Sequence, residues 1–139
     1  MIGYVTLGSN DIPRAAAFYD ELLKLLGAGR FMESDTMVAW AVSLDKPALG
    51  VIKPYDGKPA SCGNGVMVAL VVDSNAKVDE VHQKAIALGG NDEGAPGPRG
   101  TGARTSSRPV AGSAPVGRIG TRTTSAPRAP AASGRPGGK

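Results

Sequence analysis

Hydrophobic and polar positions alternate over the first residues of the chain and then change to a helical spacing. Ile2 to Leu7 alternates and is rich in strand-forming residues, which predicts a β-strand. Residues with capping oxygens follow at positions 9–11, and Pro13 stands where a first helical turn would begin. Apolar residues then recur every three or four positions as far as Leu26, and glycines follow. We therefore predict an amphipathic helix that ends near Leu26.

Three short strand-like segments follow this helix. They are Arg30–Met32, Thr36–Val42 and Ala48–Ile52, and the middle one alternates most clearly between two faces. Lys53 and Pro54 close the last of them, and the turn residues of Tyr55–Gly65 then indicate a linker. In the middle segment, the alternation predicts one face with Val38, Trp40 and Val42 and the other with Met37, Ala39 and Ala41.

The opening pattern then returns once. Val66–Val72 is an apolar strand candidate, and Asp73–Asn75 supplies capping side chains for a second helix. Val78, Val81, Ala85 and Leu88 would form the apolar face of that helix, which two glycines end. The order strand, helix, three strands is thus followed by a second strand and helix. We interpret this as an internal repeat of architecture, without repeat of residue identity.

The composition changes abruptly near residue 94. Residues 94–139 contain no aromatic residue, no leucine and no carboxylate, and Gly, Ala, Pro and Arg dominate them. They hold eight of the sixteen basic residues, so the net charge of +4 conceals a basic tail and an acidic remainder. Such a segment buries too little apolar surface to offset the conformational entropy of ordering it. We therefore expect it to be disordered.

Targeting signals are not evident in the sequence. The strand-like run begins directly after Met1, without the basic start and long apolar core of a signal peptide. No apolar run approaches the roughly 20 residues that a membrane-spanning helix needs. The single cysteine, Cys62, has no partner for an internal disulfide, which favours a reducing compartment. We expect a cytoplasmic protein that does not enter a membrane.

Four segments stand in a fixed order at the start of the chain: Ile2–Leu7, Asn10–Arg14, Ala17–Glu21 with its Phe-Tyr pair, and Leu25–Gly27. In this order and spacing they resemble the opening of the vicinal-oxygen-chelate superfamily, which includes glyoxalases, bleomycin-resistance proteins and dioxygenases. Val66–Asp73 is similar to the first strand of that superfamily's second module. The resemblance covers residues 1 to about 100.

The resemblance implies an α+β fold of two paired strand–helix–three-strand (βαβββ) modules. Module one would span residues 1–57 and be complete. Module two would span residues 64–100 and be incomplete, because its last strands are missing, and residues 101–139 would form the disordered tail. Missing strands leave unpaired sheet edges and an apolar face, so we expect a poorly soluble protein or a homodimer.

Enzymes of this superfamily bind a divalent metal with His, Gln or Glu side chains on the inner face of the curved sheet. The resemblance places the first three ligand positions at Tyr4, Val51 and Met67, and the fourth on the missing final strand. These residue types are poor ligands, because such cations prefer imidazole nitrogen and carboxylate oxygen. Between Leu49 and Tyr55, the sequence has no His, Asp or Glu that would replace Val51. We expect no metal, no other cofactor and no catalytic residue.

Metal-free members of the superfamily bind small molecules in the concavity of the sheet through aromatic and apolar side chains. The corresponding candidates are Tyr4, Trp40, Val51 and Met67, although packing in the core accounts for the same residue types. His82 lies on the second helix beside its apolar stripe, so we interpret it as a packed or solvated histidine rather than a general base.

Two interpretations of the tail remain open. Its basic residues would support salt-sensitive, nonspecific binding of nucleic acid or another polyanion, but the aromatic residues that stack on bases are missing. Alternatively, the tail is the product of a shifted reading frame, because GC-rich codons favour Ala, Gly, Pro and Arg. We favour the second hypothesis, which the coding DNA around codon 100 would test.

The sequence thus predicts a glyoxalase-like or bleomycin-resistance-like domain that binds a small molecule of unknown identity without a metal. Loss of its last strands would leave it inactive. One alternative is a metal-dependent lyase or dioxygenase of the same superfamily that uses unexpected ligands. The other is a structural domain whose basic tail binds a polyanion.

Overall fold

The computed structural model describes residues 1–61, 63, 65–90, 92, 95–99, 103–110 and 117–123. Within them, a first module (β1 to β4) and a second module (β5 to β8) each contain a strand, a helix and three further strands. The α+β fold of paired βαβββ modules is therefore confirmed. The elements are β1 (Tyr4–Gly8), α1 (Ile12–Lys24), β2 (Gly29–Glu33), β3 (Met37–Ala41), β4 (Ala48–Ile52), β5 (Met67–Val72), α2 (Asn75–Ala87), β6 (Gly97–Arg99), β7 (Ala103–Val110) and β8 (Gly117–Thr123).

The first sheet has the strand order β1-β4-β3-β2. β1 and β4 run parallel, and their register places Leu7 beside Val51, which in turn lies beside Val38 of the antiparallel strand β3. Residues paired across neighbouring strands point to the same side of the sheet, so these three residues share one face. Helix α1 covers that face. Trp40 lies on the same face, whereas Ala39 lies on the other, so the predicted alternation of β3 is confirmed.

Both helices begin and end at the kind of residue that the sequence indicated. Asp11 is the N-cap of α1, and its carboxylate accepts a hydrogen bond from the backbone N–H of Arg14 at 3.0 Å. Ser74 caps α2 in the same way, with its hydroxyl 3.2 Å from the N–H three residues on. Gly27 and Gly89 follow the helices with positive φ angles of 73° and 90°, a conformation that glycine adopts without steric cost.

The main hydrophobic core lies between α1 and the first sheet, and α2 packs against its side. An ion pair of 2.7 Å between the Lys84 Nζ and the Glu21 carboxylate joins the two helices at the surface. Among the residues whose burial is described, the second module adds only Val81 and Ala85 to the buried cluster. The members from the first module are Leu7, Ile12, Ala15, Ala16, Phe18, Tyr19, Leu22, Leu23, Val38, Trp40, Leu49 and Val51.

The second sheet corrects the expectation for part of the tail. Its strand order is β5-β8-β7-β6, so backbone in 103–110 and 117–123 forms strands where the sequence predicted disorder and no further strands. The physical reason is that the hydrogen bonds of a sheet join backbone groups, which every residue except proline carries in full. Composition therefore does not forbid the strands. These strands contain no leucine and no aromatic residue, however, so the second module has few large side chains with which to build a hydrophobic core.

Some expectations concern residues outside the described part of the chain. Cys62 lies there, and so does the end of the tail from residue 124 onward. For the described residues, neither the length nor the hydropathy of any helix suffices for a membrane span.

Candidate ligand-binding groove

An apolar groove of about 640 Å³ lies between the first module and β5. On one side it is bounded by the start of β1, the end of β3, the start of β4 and the end of α1. On the other side, six consecutive residues from Val66 to Val71 line it. Because neighbouring residues of a strand point to opposite faces, this continuous lining means that the edge of β5 borders the groove. Principal lining residues of the first module are Val5, Leu23, Leu26, Trp40, Ala48 and Leu49.

Trp40 connects this groove to the core. It sits in β3 on the face that α1 covers, is only 2% exposed and also lines the groove. Its ring centroid lies 5.5 Å from that of Tyr19 on α1. Its indole Nε1–H donates a hydrogen bond of 2.8 Å to Asp20 Oδ1. A buried indole N–H needs such an acceptor, so the bond fixes the orientation of the ring.

A surface ion pair holds the Asp20 carboxylate in place. Arg30 of β2 donates from Nε to Oδ1 at 2.9 Å and from Nη2 to Oδ2 at 2.6 Å, which is the bidentate geometry. Arg30 also donates from Nη1 to Glu33 at 2.7 Å. The Arg30 hydrogen bonds lower the pKa of Asp20 most strongly, partial burial opposes them, and the Trp40 hydrogen bond lowers it further. The same contacts raise the pKa of Arg30. Asp20 is therefore ionised at neutral pH.

The four residues predicted to line a ligand site fall into two pairs. Trp40 and Met67 both line the groove. Tyr4 is 68% exposed on the opposite face of the first sheet, and Val51 is fully buried against the core. Sequence reasoning missed the leucines at the end of α1, of which Leu26 is one. Their spacing predicted burial, but only the position of β5 brings them to a groove.

Two further buried polar groups lie in the core or beside it. His82 on α2 is 9% exposed, so it is packed within the helix layer, as one of the two sequence interpretations had it. Tyr19 is fully buried, and burial raises the pKa of its hydroxyl. That hydroxyl has no hydrogen-bond partner among the described residues.

The architecture is similar to that of solved glyoxalase-like structures. A glyoxalase/bleomycin resistance protein from Albidiferax ferrireducens T118 is 28% identical, with a TM-score of 0.77 over 90% of this chain and 99% of that chain. A lactoylglutathione lyase from Agrobacterium tumefaciens is 18% identical, with a TM-score of 0.63 over 89% and 93%. A glyoxalase-related enzyme from Fulvimarina pelagi is 17% identical, with a TM-score of 0.68 over 89% and 88%.

The chain belongs to the vicinal-oxygen-chelate superfamily. Its fold is that of the glyoxalase and bleomycin-resistance proteins. No family model and no curated protein matches the sequence itself.

The described residues do not fit the metal site of the vicinal-oxygen-chelate enzymes. Tyr4 does lie on the face of the first sheet that α1 leaves open. On β4, however, the residues that share this face are Ala48, Gly50 and Ile52, because Val51 points to the core. Within the described ranges there is no cluster of three His, Cys, Asp or Glu residues. Of the side chains at the first three ligand positions, Val51 and Met67 carry no nitrogen or oxygen atom, and Tyr4 offers only a phenol hydroxyl in place of the imidazole or carboxylate that such an ion prefers.

Proposed function

We propose that this vicinal-oxygen-chelate protein binds a neutral, apolar small molecule in the groove between its modules, without help from a metal. The groove itself carries the proposal. Its volume of about 640 Å³ falls within the range of roughly 300–1,000 Å³ that is typical of small-molecule sites. Every lining residue among those the structure describes, from Ile2 to Val71, is apolar, so a charged ligand would lose its hydration there without compensation.

The polar part of recognition would come from backbone groups. β1 and β5 are edge strands of their sheets, so each has one side on which no strand of the described residues pairs with its N–H and C=O groups. Because consecutive residues of β5 line the groove, the edge of this strand borders it, and its backbone groups are available to a ligand there. A ligand with one or two hydrogen-bonding atoms on an apolar body suits this arrangement.

Trp40 provides a direct assay, because it is the only tryptophan of the chain and lines the groove. Titration with the neutral dye Nile red should give saturable quenching of Trp40 emission and an increase in dye emission. Ala69→Phe places a ring at an exposed groove position of β5 and should weaken dye binding about tenfold. Ala17→Phe, at an exposed position of α1 away from the groove, is the matched control and should bind as the wild type does.

A chelator tests the metal-free part of the proposal. Dye binding should be unchanged after dialysis against EDTA, and stoichiometric zinc, nickel, manganese or iron in the purified protein would contradict it. Equal binding by wild type and Ala69→Phe would move the ligand site away from the groove.

The homodimer stays a prediction that gel filtration with light scattering can test. Exposed apolar residues on the open face of the first sheet support it, with Tyr4 at 68% and Met32 at 50% exposure. A monomer across the micromolar range would contradict it.

A further inference from the structure

The tryptophan of the groove and the surface ion pair form one connected unit. Trp40 is a lining residue of the groove with a buried side chain, and its indole N–H is bonded to Asp20 Oδ1 at 2.8 Å. The same oxygen accepts from Arg30 Nε at 2.9 Å, and the second carboxylate oxygen accepts from Arg30 Nη2 at 2.6 Å. The Asp20 and Arg30 side chains are 36% and 35% exposed, so solvent reaches this end of the unit while the indole stays buried.

We propose that Asp20 is a positioning residue for the groove: its carboxylate, held by Arg30, fixes the orientation of the Trp40 indole and thereby the shape of the wall on which a ligand packs. This rests on the proposed function, since it assumes that the groove is the ligand site. It assigns a role in ligand affinity to a residue that does not line the groove.

Three features of the structure support this role. A side chain bonded by a rigid, bidentate guanidinium has little freedom left, so it holds the indole more firmly than a lone carboxylate would. Arg30 is itself tied to Glu33 at 2.7 Å, which limits its rotation. The two strands that carry Arg30 and Trp40 are also joined at this point, because these residues are directly paired across β2 and β3.

The neighbouring residue supplies a matched control. Glu21 also lies on α1 and also forms a surface ion pair of 2.7 Å, with Lys84 of α2. It has no hydrogen bond to Trp40, because that indole donates to Asp20. Glu21→Gln therefore removes a surface ion pair of the same kind while leaving the indole bond intact.

The experiment compares Asp20→Ala, Asp20→Asn and Glu21→Gln in the full chain. Nile red affinity and the emission wavelength and acrylamide quenching of Trp40 are measured for each, below the temperature at which any of them unfolds. Asp20→Ala should bind the dye about tenfold more weakly, as expected for the loss of a hydrogen bond to a charged group, and its Trp40 should be quenched more readily. Asp20→Asn keeps an oxygen that accepts from the indole and should recover most of the affinity. Glu21→Gln should match the wild type.

The outcomes separate the two proposals. If the wild type bound no dye, the groove would not be the ligand site, and both proposals would fail. If the wild type bound dye and Asp20→Ala bound it equally well, the positioning role alone would be overturned. Two other outcomes would also overturn the positioning role: a loss of affinity in Asp20→Ala that Asp20→Asn does not recover, or a loss that Glu21→Gln shares. Either would show that Asp20 contributes only to general stability.

Discussion

β4 of the first module and β8 of the second occupy the same place in their sheets, each between one parallel and one antiparallel neighbour. Their backbones are equivalent, but their sequences are not. β4 reads Ala-Leu-Gly-Val-Ile and is almost wholly buried, whereas β8 reads Gly-Arg-Ile-Gly-Thr-Arg-Thr. The comparison shows that the pattern of strand pairing can be repeated without the side chains that make it stable. Pairing satisfies the backbone, while most of the driving force for folding comes from apolar burial.

The distribution of the core follows from this difference. Between the first sheet and α1, large side chains such as Trp40, Tyr19 and Leu22 are buried together. In the second module, the described buried cluster members are the small residues Val81 and Ala85, both on α2. We therefore expect the first module to carry most of the free energy of unfolding and the second to open first.

Matched proline substitutions should give the largest effect. Gly50 lies between Thr6 and Ala39, and Gly120 holds the equivalent place between Ala69 and Ser107. Proline removes a backbone N–H from a central strand, so Gly50→Pro should lower the free energy of unfolding by about 3 kcal/mol or more. Gly120→Pro should cost only about 1 kcal/mol if the second sheet adds little stability. Urea unfolding followed by far-UV circular dichroism measures both, and equal losses would refute the unequal roles of the two sheets.

Truncations in the two helices should give the next largest effect. Leu22 and Val81 are each 2% exposed. Leu22→Ala should cost about 2–5 kcal/mol, because it leaves a cavity in the main core. Val81→Ala should cost about 1–2 kcal/mol, near the transfer free energy of the carbons removed and without a large cavity term. Urea unfolding gives the loss in free energy of unfolding for each variant, and this loss is compared per carbon atom removed. A higher value for Val81→Ala would show that the better-packed core is in the second module.

The helix caps offer a smaller and closely matched pair. Asp11→Ala and Ser74→Ala each remove an acceptor for the backbone N–H three residues on, and each should cost its helix about 1 kcal/mol. The Asp11 loss should appear in full in global unfolding. The Ser74 loss should appear mainly as faster hydrogen exchange of the α2 amides, because α2 opens before the rest. The same global loss in both variants would show that the two modules unfold as one unit.

The smallest expected effect is the loss of stability at low pH that comes from the ion pair of Asp20. The Arg30 hydrogen bonds hold the pKa of Asp20 below its ordinary value of 3.8, so the folded state binds this proton more weakly than the unfolded state does. The resulting stability is present above the ordinary carboxyl pKa and is lost as the pH falls through the lowered value. Its size is below about 1 kcal/mol, because the side chain is 36% exposed and water screens the pair. Asp20→Asn should therefore be less stable than the wild type at neutral pH and should approach it at low pH. A constant difference at all pH values would contradict this origin.

Sequence reasoning predicted the first module well because its signals are local. The capping role of Asp11, the end of α1 near Gly27 and the two faces of β3 all follow from the spacing of neighbouring residues. The candidate site was predicted only in part. Trp40 and Met67 line the groove, whereas Val51 packs in the core, because the face on which a residue of β4 lies depends on strand register.

The features that sequence reasoning did not predict depend on strand register and on contacts between distant residues. A shift of one residue along β4 moves a side chain to the opposite face, and periodicity alone does not choose between the two. The bond between Trp40 and Asp20 joins residues twenty positions apart on different elements, for which the local pattern holds no signal. The strand in residues 117–123 forms by backbone pairing with β5, and the strand in residues 103–110 by pairing with β8, so composition gave no indication of either.

By itself the sequence determined the order of elements, the helix ends, the apolar faces of the first module and the resemblance to its superfamily. These features depend on residues close together in the chain, where the periods of helix and strand decide the outcome. Tertiary structure alone decided that β5 would face the first module across a groove, that Arg30 would hold Asp20, and that Asp20 would hold Trp40. These contacts arise only when separate elements pack together, because distant residues meet through the register and packing of whole elements.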